Sequence, residues 1–328
     1  MLSYQRALIV GITGLIAVGL AGTAEAQVEL RFAHGQATTD ITHIAAEHFK
    51  QLVEEGSNGE ITVTVYPGGQ LGNSKDMVQG VRLGTIDLTA NGNPYFTTFA
   101  PKLNVLDLPY MFADYDHVYA VLDGEIGQEL LGELEQHNLK GLAFWEIGFR
   151  HLTTADTPVR TPDDMQGLKI RTTPNEAHLK AFELLGANPV PMNFQDVYMA
   201  LQTGTIDGQE NPITQIHSAR FQEVQNYISL TGHAYTPLVF VMNLSRFESL
   251  TPEQQAVIEQ AAREATITQR EGLATEQERR SKELAETMTI IDDVDVEAFR
   301  AAVQEPVKAD YVEQYGPELV EAIEKLRP

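Results

Sequence analysis

The sequence predicts an α/β chain folded as two similar lobes, and three observations carry that expectation. Strand and helix patterns alternate from Val28 onward. One motif occurs twice, as "GTIDLTANGNP" from Gly84 and "GTIDGQENP" from Gly204. From Leu250 the chain reads as helix almost to its end. Alternating strands and helices build an open sheet with helices on its faces, and 328 residues suffice for a large core in one or two domains.

Residues 1–26 stand apart from this pattern. Ala7–Gly22 is an uncharged apolar run behind Arg6, and it ends in "TAEAQ", where Ala24 and Ala26 form the small-x-small pattern of a cleavage site. The run is short of the roughly 20 apolar residues of a spanning helix. It is therefore read as a signal peptide, with Gln27 the first mature residue and the mature chain periplasmic.

The elements then follow in order. In "VELRFAH" Val28, Leu30, Phe32 and His34 share one face of a strand. Asp40 caps a helix with apolar positions Ile41, Ile44, Ala45, Phe49 and Leu52, stopped at Gly56. "EITVTVYPGGQLG" is a strand leaving through a Pro-Gly-Gly turn. "NSKD" (Asn73–Asp76) starts a short helix with a capping pair, and "TIDLTA" is the next strand. The same order returns with "GLKIRTT", a helix through "AHLKAFELLGA", and "PVPM". The capped start "NFQD" (Asn193–Asp196) and a strand running into "DGQENP" complete it. Ligands of open α/β sheets sit beyond the carboxyl ends of the strands, so this polar run is expected at a crevice. Pro212 prevents the strand from continuing. Thr251, Pro252 and Gln254 start a helix that reaches about Glu286. At 1.5 Å per residue it is roughly 50 Å long, enough to lie across two lobes.

Composition narrows the chemistry. A formal charge of −23 argues against nucleic acid and anionic membranes as partners, and it repels an anionic ligand unless the site supplies local positive charge. The absence of cysteine excludes thiol redox chemistry and thiolate metal sites. No His-Glu-x-x-His pair, Gly-x-Ser-x-Gly elbow or lysine-bearing phosphate loop occurs, and "PGGQLG" reads as a turn. His43 and His48 do not share a helical face, and His48 falls with the apolar positions of its helix. No catalytic residue, metal or cofactor is expected. The "ERRSKE" run reads as a solvated helix face.

Arginine is the residue to inspect. Alternation puts Lys169 and Arg171 opposite Leu168 and Ile170, which by itself describes a solvated strand face. The place of Arg171 at the strand's end, before Thr172-Thr173-Pro174, favours a site instead. Its planar fork makes parallel charge-assisted bonds to a carboxylate.

The stretches "GLAFWEIGFRHLTT", "GLKIRTT", "NFQDVYMALQTGTIDGQENP" and "FQEVQNYISLTGH" resemble the solute-binding proteins of tripartite ATP-independent periplasmic (TRAP) transporters, in order over the whole mature chain. The resemblance implies the two-lobed periplasmic binding protein fold, with hinge strands and a long helix spanning both lobes. It places lobe I in residues 27–147 and 237–276, and lobe II in 148–236 and 277–328. It implies a binding protein for a small organic anion, a four-carbon dicarboxylate or a sugar acid, delivered to TRAP membrane permease subunits. A secreted enzyme acting on a carboxylate is the competing class.

By the same resemblance, Arg171 is the arginine that grips the carboxylate. Arg150 is a second ligand contact, or else is pinned by an acidic neighbour. Asn211 bonds the ligand or caps its turn, and Phe194 is the aromatic at the cleft. In the first lobe His34, Asn91, Asn93 and Tyr95 are the matching loop positions, His34 as cleft wall or structural donor. Trp145 is a ligand-side aromatic or a core one. Gly35 and Gly92 stand where sialic-acid binders carry asparagine and glutamate, which argues against that ligand.

Overall fold

The computed structural model describes residues 27–328, so the expected signal peptide lies outside the described residues. The first lobe opens with β1 (Val28–His34), α1 (Ile41–Gly56), β2 (Ile61–Tyr66), α2 (Ser74–Leu83) and β3 (Leu88–Gly92). β1 lies between β2 and β3, parallel to both. Asp40 caps α1 by accepting from the Thr42 amide. The buried stripe of α1 runs through Thr42, Ala45, Ala46, Phe49 and Val53, while Ile44 is half exposed. Ile41, Ala45 and Phe49 of the expected apolar face are buried with them, Leu52 is half buried, and Ile44 alone lies outside the face. His48 is only half buried and bonds the Thr268 hydroxyl.

Two short 3-10 turns, Asn93–Tyr95 and Pro101–Asp107, lead to α3 (Tyr115–Leu122) and α4 (Glu125–Glu133). β4 (Leu139–Thr154) then carries the chain into the second lobe of β5 (Lys169–Thr172), α5 (Glu176–Leu184) and β6 (Asn188–Pro191). α6 (Val197–Gln202), β7 (Gly208–Asn211) and α7 (Ile213–Ser218) follow. β8 (Tyr227–Asn243) returns to the first lobe, followed by α8 (Leu244–Glu248) and α9 (Pro252–Ala285). β9 (Thr289–Ile291), α10 (Val296–Tyr315) and α11 (Glu318–Glu324) complete the chain.

One sheet, ordered β2-β1-β3-β8-β4-β7-β5-β6 with β9 on β8, runs through both lobes. Each half is parallel at its edge, but the centre is antiparallel, because β4 leaves the first lobe and β8 comes back beside it. These strands have 16 and 17 residues. Their register shifts between Gly141 and Ala143, Glu146 and Gly148, and Arg150 and Leu152. Bulges of this kind bend a strand and raise its twist. Gly148 has φ +107°, a left-handed conformation that glycine adopts without strain.

The core decides how α9 sits. Phe32, Phe49, Trp145 and Phe240 cluster in the first lobe against Ile258, Ala261, Ala262 and Ala265 of α9. In the second lobe Val197, Leu201, Ile213, Ile216 and Phe221 pack with Leu284 near the other end of the same helix. A 34-residue helix with a Thr251–Gln254 capping box thus spans both lobes, as expected. Arg280 departs from the expected solvated face: it is buried and donates to the Thr39 carbonyl at 3.0 Å.

The "DGQENP" run also differs from the expected strand end. The strand itself is Gly208–Asn211, buried at every position, while Thr205–Asp207 form a bend. A buried strand with Gln, Glu and Asn on it requires partners for each polar group. Gln209 donates to the Thr153 hydroxyl at 2.9 Å, and Glu210 is met by Arg150 from the neighbouring strand.

Candidate functional site

Six short pieces of chain meet between the lobes. The turn after β1 brings Gln36, the end of β3 and the turn after it bring Asn91 and Tyr95; β5 brings Arg171 and, just after it, Thr173; β4 and β7 bring Arg150 and Asn211; Phe194 precedes α6. With Ser74, Gln215 and Thr236 they wall a narrow pocket that opens toward solvent.

Arg171 is 1 % exposed, despite the alternation that put it on a solvated face. Its Nε and Nη2 donate to the Met192 carbonyl at 3.1 and 2.7 Å. Nη2 lies 3.5 Å from the Tyr95 hydroxyl, a long contact. Among the described residues Nη1 makes no hydrogen bond and no carboxylate pairs with this guanidinium. Burial pulls its pKa below the ordinary value, and the neighbouring Tyr95 and Glu210 offset part of that. A buried charge held only by a carbonyl and a distant hydroxyl is costly, and an anion in the cavity would relieve it.

Arg150 is equally buried but differently placed. Its Nε and Nη2 donate to the Glu210 carboxylate, Nη2–Oε1 being 2.9 Å, and Nη2 also reaches the Glu210 carbonyl at 2.7 Å and Asn211 Oδ1 at 3.3 Å. His233 Nε2 lies 3.2 Å from the same carboxylate. Burial alone would raise the pKa of Glu210, but the Arg150 charge and the bonds from His233 and Arg150 outweigh it. They hold the carboxyl well below the usual range. Arg150 lines the cavity and is also pinned by its acidic neighbour. The two guanidiniums and Glu210 leave one positive charge unbalanced.

Behind them Asp107 is fully buried and accepts from Asn93 Nδ2 at 2.7 Å, Asn175 Nδ2 at 3.2 Å and Thr236 Oγ1 at 3.2 Å. Burial raises its carboxyl to about 7, against the pull of Asn93 and Arg150.

Of the residues singled out in the sequence, Arg171, Arg150, Asn211, Phe194, Asn91 and Tyr95 come together on the cavity wall. Three do not. Trp145 is fully buried in the first-lobe core, its Nε1 donating to Thr266 Oγ1 of α9 at 3.0 Å. It lies on the part of β4 packed under α9, on the first-lobe side of the cleft. Asn93 is turned inward, giving both of its bonds to Leu103 and Asp107. His34 is buried against Phe32, bonds His43 Nδ1 at 3.1 Å, and is held neutral, its pKa lowered to about 3 by burial and then by His43.

Gln36, Ser74, Thr173 and Gln215 were missed from sequence. Their signal was positional: Gln36 lies two residues beyond β1, and Ser74 directly follows the Asn73 cap. Gln36 Oε1 is buried without a hydrogen-bond partner among the described residues, an acceptor facing no donor. A larger cavity of about 160 Å³ lies between α5 and α10. Its Lys180 is 3.6 Å from Asp310, so it carries no unbalanced cation.

Comparison with known proteins identifies the family. The chain is 40% identical over 319 residues to the 2,3-diketo-L-gulonate-binding periplasmic protein YiaO of Escherichia coli, covering 96% of this chain and 97% of that one. It is 32% identical to the C4-dicarboxylate-binding periplasmic protein DctP of Rhodobacter capsulatus, covering 97% of each. A TRAP periplasmic solute-binding protein from Polaromonas, solved bound to D-erythronate, superposes with a TM-score of 0.88 at 35% identity, over 90% of this chain and 98% of that one. The model of bacterial extracellular solute-binding protein family 7 matches residues 32–314. The chain therefore belongs to that family, as a two-lobed solute-binding protein of transport and not an enzyme.

Proposed function

We propose that this protein captures a small hydroxylated monocarboxylate, a sugar acid in the wide sense, between its lobes, and presents it to a TRAP membrane permease. The observation that carries the reading is the buried guanidinium of Arg171, which lines the cavity and, among the described residues, has no carboxylate partner and an unbonded Nη1. The carboxylate of the ligand supplies the missing counter-charge through bonds worth about 1.5–3 kcal/mol each. Asn211, Asn91, Tyr95 and Phe194 complete the wall, with Arg150 at its back.

Charge decides between monoanion and dianion. Arg150 is already spent on Glu210, so one positive charge remains for one carboxylate. Gln36, whose Oε1 has no partner among the described residues, is an amide free to meet a ligand hydroxyl. The relatives named for 2,3-diketo-L-gulonate and D-erythronate bind ligands of this type.

Lobe I is taken as residues 27–147 and 237–276, and lobe II as 148–236 and 277–328. They pivot at the register shift of β4 and β8 between Glu146 and Gly148. Closure about these strands buries the acid, and the closed form is what the permease subunits receive. Residues 1–26 direct export to the periplasm and are removed.

Calorimetric titration with D-erythronate, 2,3-diketo-L-gulonate and succinate tests the reading. One of the first two is expected to bind at least tenfold more tightly than succinate. A preference for succinate refutes the charge count, and no binding of any carboxylate across a thermal-shift panel refutes capture.

A further inference from the structure

The two helix starts that the repeated motif places in the two lobes face each other at the mouth of the cleft. Gln195, in the turn before α6, reaches across it. Its Oε1 accepts from the Ser74 amide at 3.2 Å, and its Nε2 lies 3.3 Å from the Ser74 hydroxyl. Ser74 is the first residue of α2, where Asn73 already serves Asp76 and Asp76 serves Asn73. The amide of Ser74 has no partner within its own helix. It is satisfied from 121 residues away, by the other lobe.

The reverse contact exists as well. Phe194 opens the equivalent turn in the second lobe, and its amide donates to the Tyr95 hydroxyl of the first lobe at 3.1 Å. Each of these turns thus has one amide satisfied from the other lobe; Asn193 of the second, unlike Asn73 of the first, makes no side-chain cap bond.

The first lobe is cut back where Gln195 seats. A Cβ at Gly35 would stand 2.6 Å from Gln195 Nε2. A Cβ at Gly69 would lie 3.3 Å from Gln195 Cγ. Gln195 itself is absent from the wall of the cavity, although its partner Ser74 lies on it.

We propose that Gln195 is a positioning residue, a clasp that holds the cleft shut by capping α2 across the gap, with Gly35 as its seat. The inference rests on capture by closure. Opening the lobes strips the Ser74 amide of this partner and returns it to water, so the clasp contributes only to the closed form and slows ligand release.

The chain has no cysteine, so L83C and M199C on exposed positions give a clean nitroxide pair, one label per lobe. Pulsed dipolar distances are measured without ligand and across a titration with D-erythronate, then succinate. In Q195A the acid concentration that half-closes the cleft is expected to rise about fivefold, the worth of one net hydrogen bond. Q195E keeps the acceptor and is expected to close like the parent. G35A crowds only the mobile Nε2 end of Gln195, so it is expected to shift the half-closing concentration by no more than Q195A, and to add nothing to it in the double variant.

Equal closing of Q195A and parent at the same acid concentration overturns the clasp and leaves capture intact. A ligand-free closed population that Q195A lacks, unchanged by any acid, keeps the clasp and overturns capture. A parent chain open under every condition overturns the clasp outright.

Discussion

Replacing Arg171 by methionine separates ligand binding from folding at one side chain. The guanidinium gives Nε and one Nη2 donor to Met192 and leaves Nη1 free, with a long Nη2 contact to Tyr95. A carboxylate held end-on by Nη1 and Nη2 gains two charge-assisted bonds, together about 3–6 kcal/mol. Their loss weakens binding by about 10²–10⁴-fold at 1.4 kcal/mol per decade. Stability moves differently. The variant removes a buried cation with no counter-ion, whose desolvation costs several kcal/mol, and it strands one carbonyl, a loss of about 1–3 kcal/mol. Ligand-free R171M is therefore expected to melt no lower than the parent while its affinity, read by calorimetry with the tightest acid of the panel, collapses. A large drop in melting temperature with affinity retained would refute the reasoning, since Arg171 would then be a structural residue.

Three further outcomes test the surroundings. Glu210→Gln unpairs Arg150, so urea denaturation should show a loss of about 3–5 kcal/mol. The cleft then holds two unbalanced guanidiniums, and the succinate-to-erythronate affinity ratio should rise; an unmoved ratio contradicts the charge count. Trp145→Phe loses the bond to Thr266 in the first-lobe core, so the denaturation midpoint should fall with ligand affinity unchanged. Asp107 has a folded pKa raised to about 7 by burial, above its unfolded value. Its contribution is therefore fully present below the unfolded pKa and is lost as pH rises to about 7. Asp107→Asn cannot titrate, so it should gain on the parent between about pH 4 and 7 and level off above, measured by urea midpoints across that range.

What the sequence determined by itself was local. Asp40, Asn73 and Thr251 cap their helices as their spacing required, because a cap needs only the next three or four residues. The repeated motif marked two equivalent lobes, and the length of α9 fixed its reach across them. Family motifs brought Arg171, Asn211 and Tyr95 into view as site residues, and the cavity includes all three.

Tertiary structure decided everything that depends on charge balance and on which side of a strand is covered. Arg150 and Glu210 are 60 residues apart, and only the pairing of β4 with β7 brings them together and leaves Arg171 alone. Alternation cannot tell Arg171 from Lys169, which share a face of β5: Lys169 at the strand's start is exposed, while Arg171 near its carboxyl end is covered. Trp145 falls to the core because α9 covers its part of β4, and Ile44 is left outside because α9 and the sheet press on the neighbouring stripe of α1. These are contacts between segments far apart in the chain, and no window of sequence contains both partners.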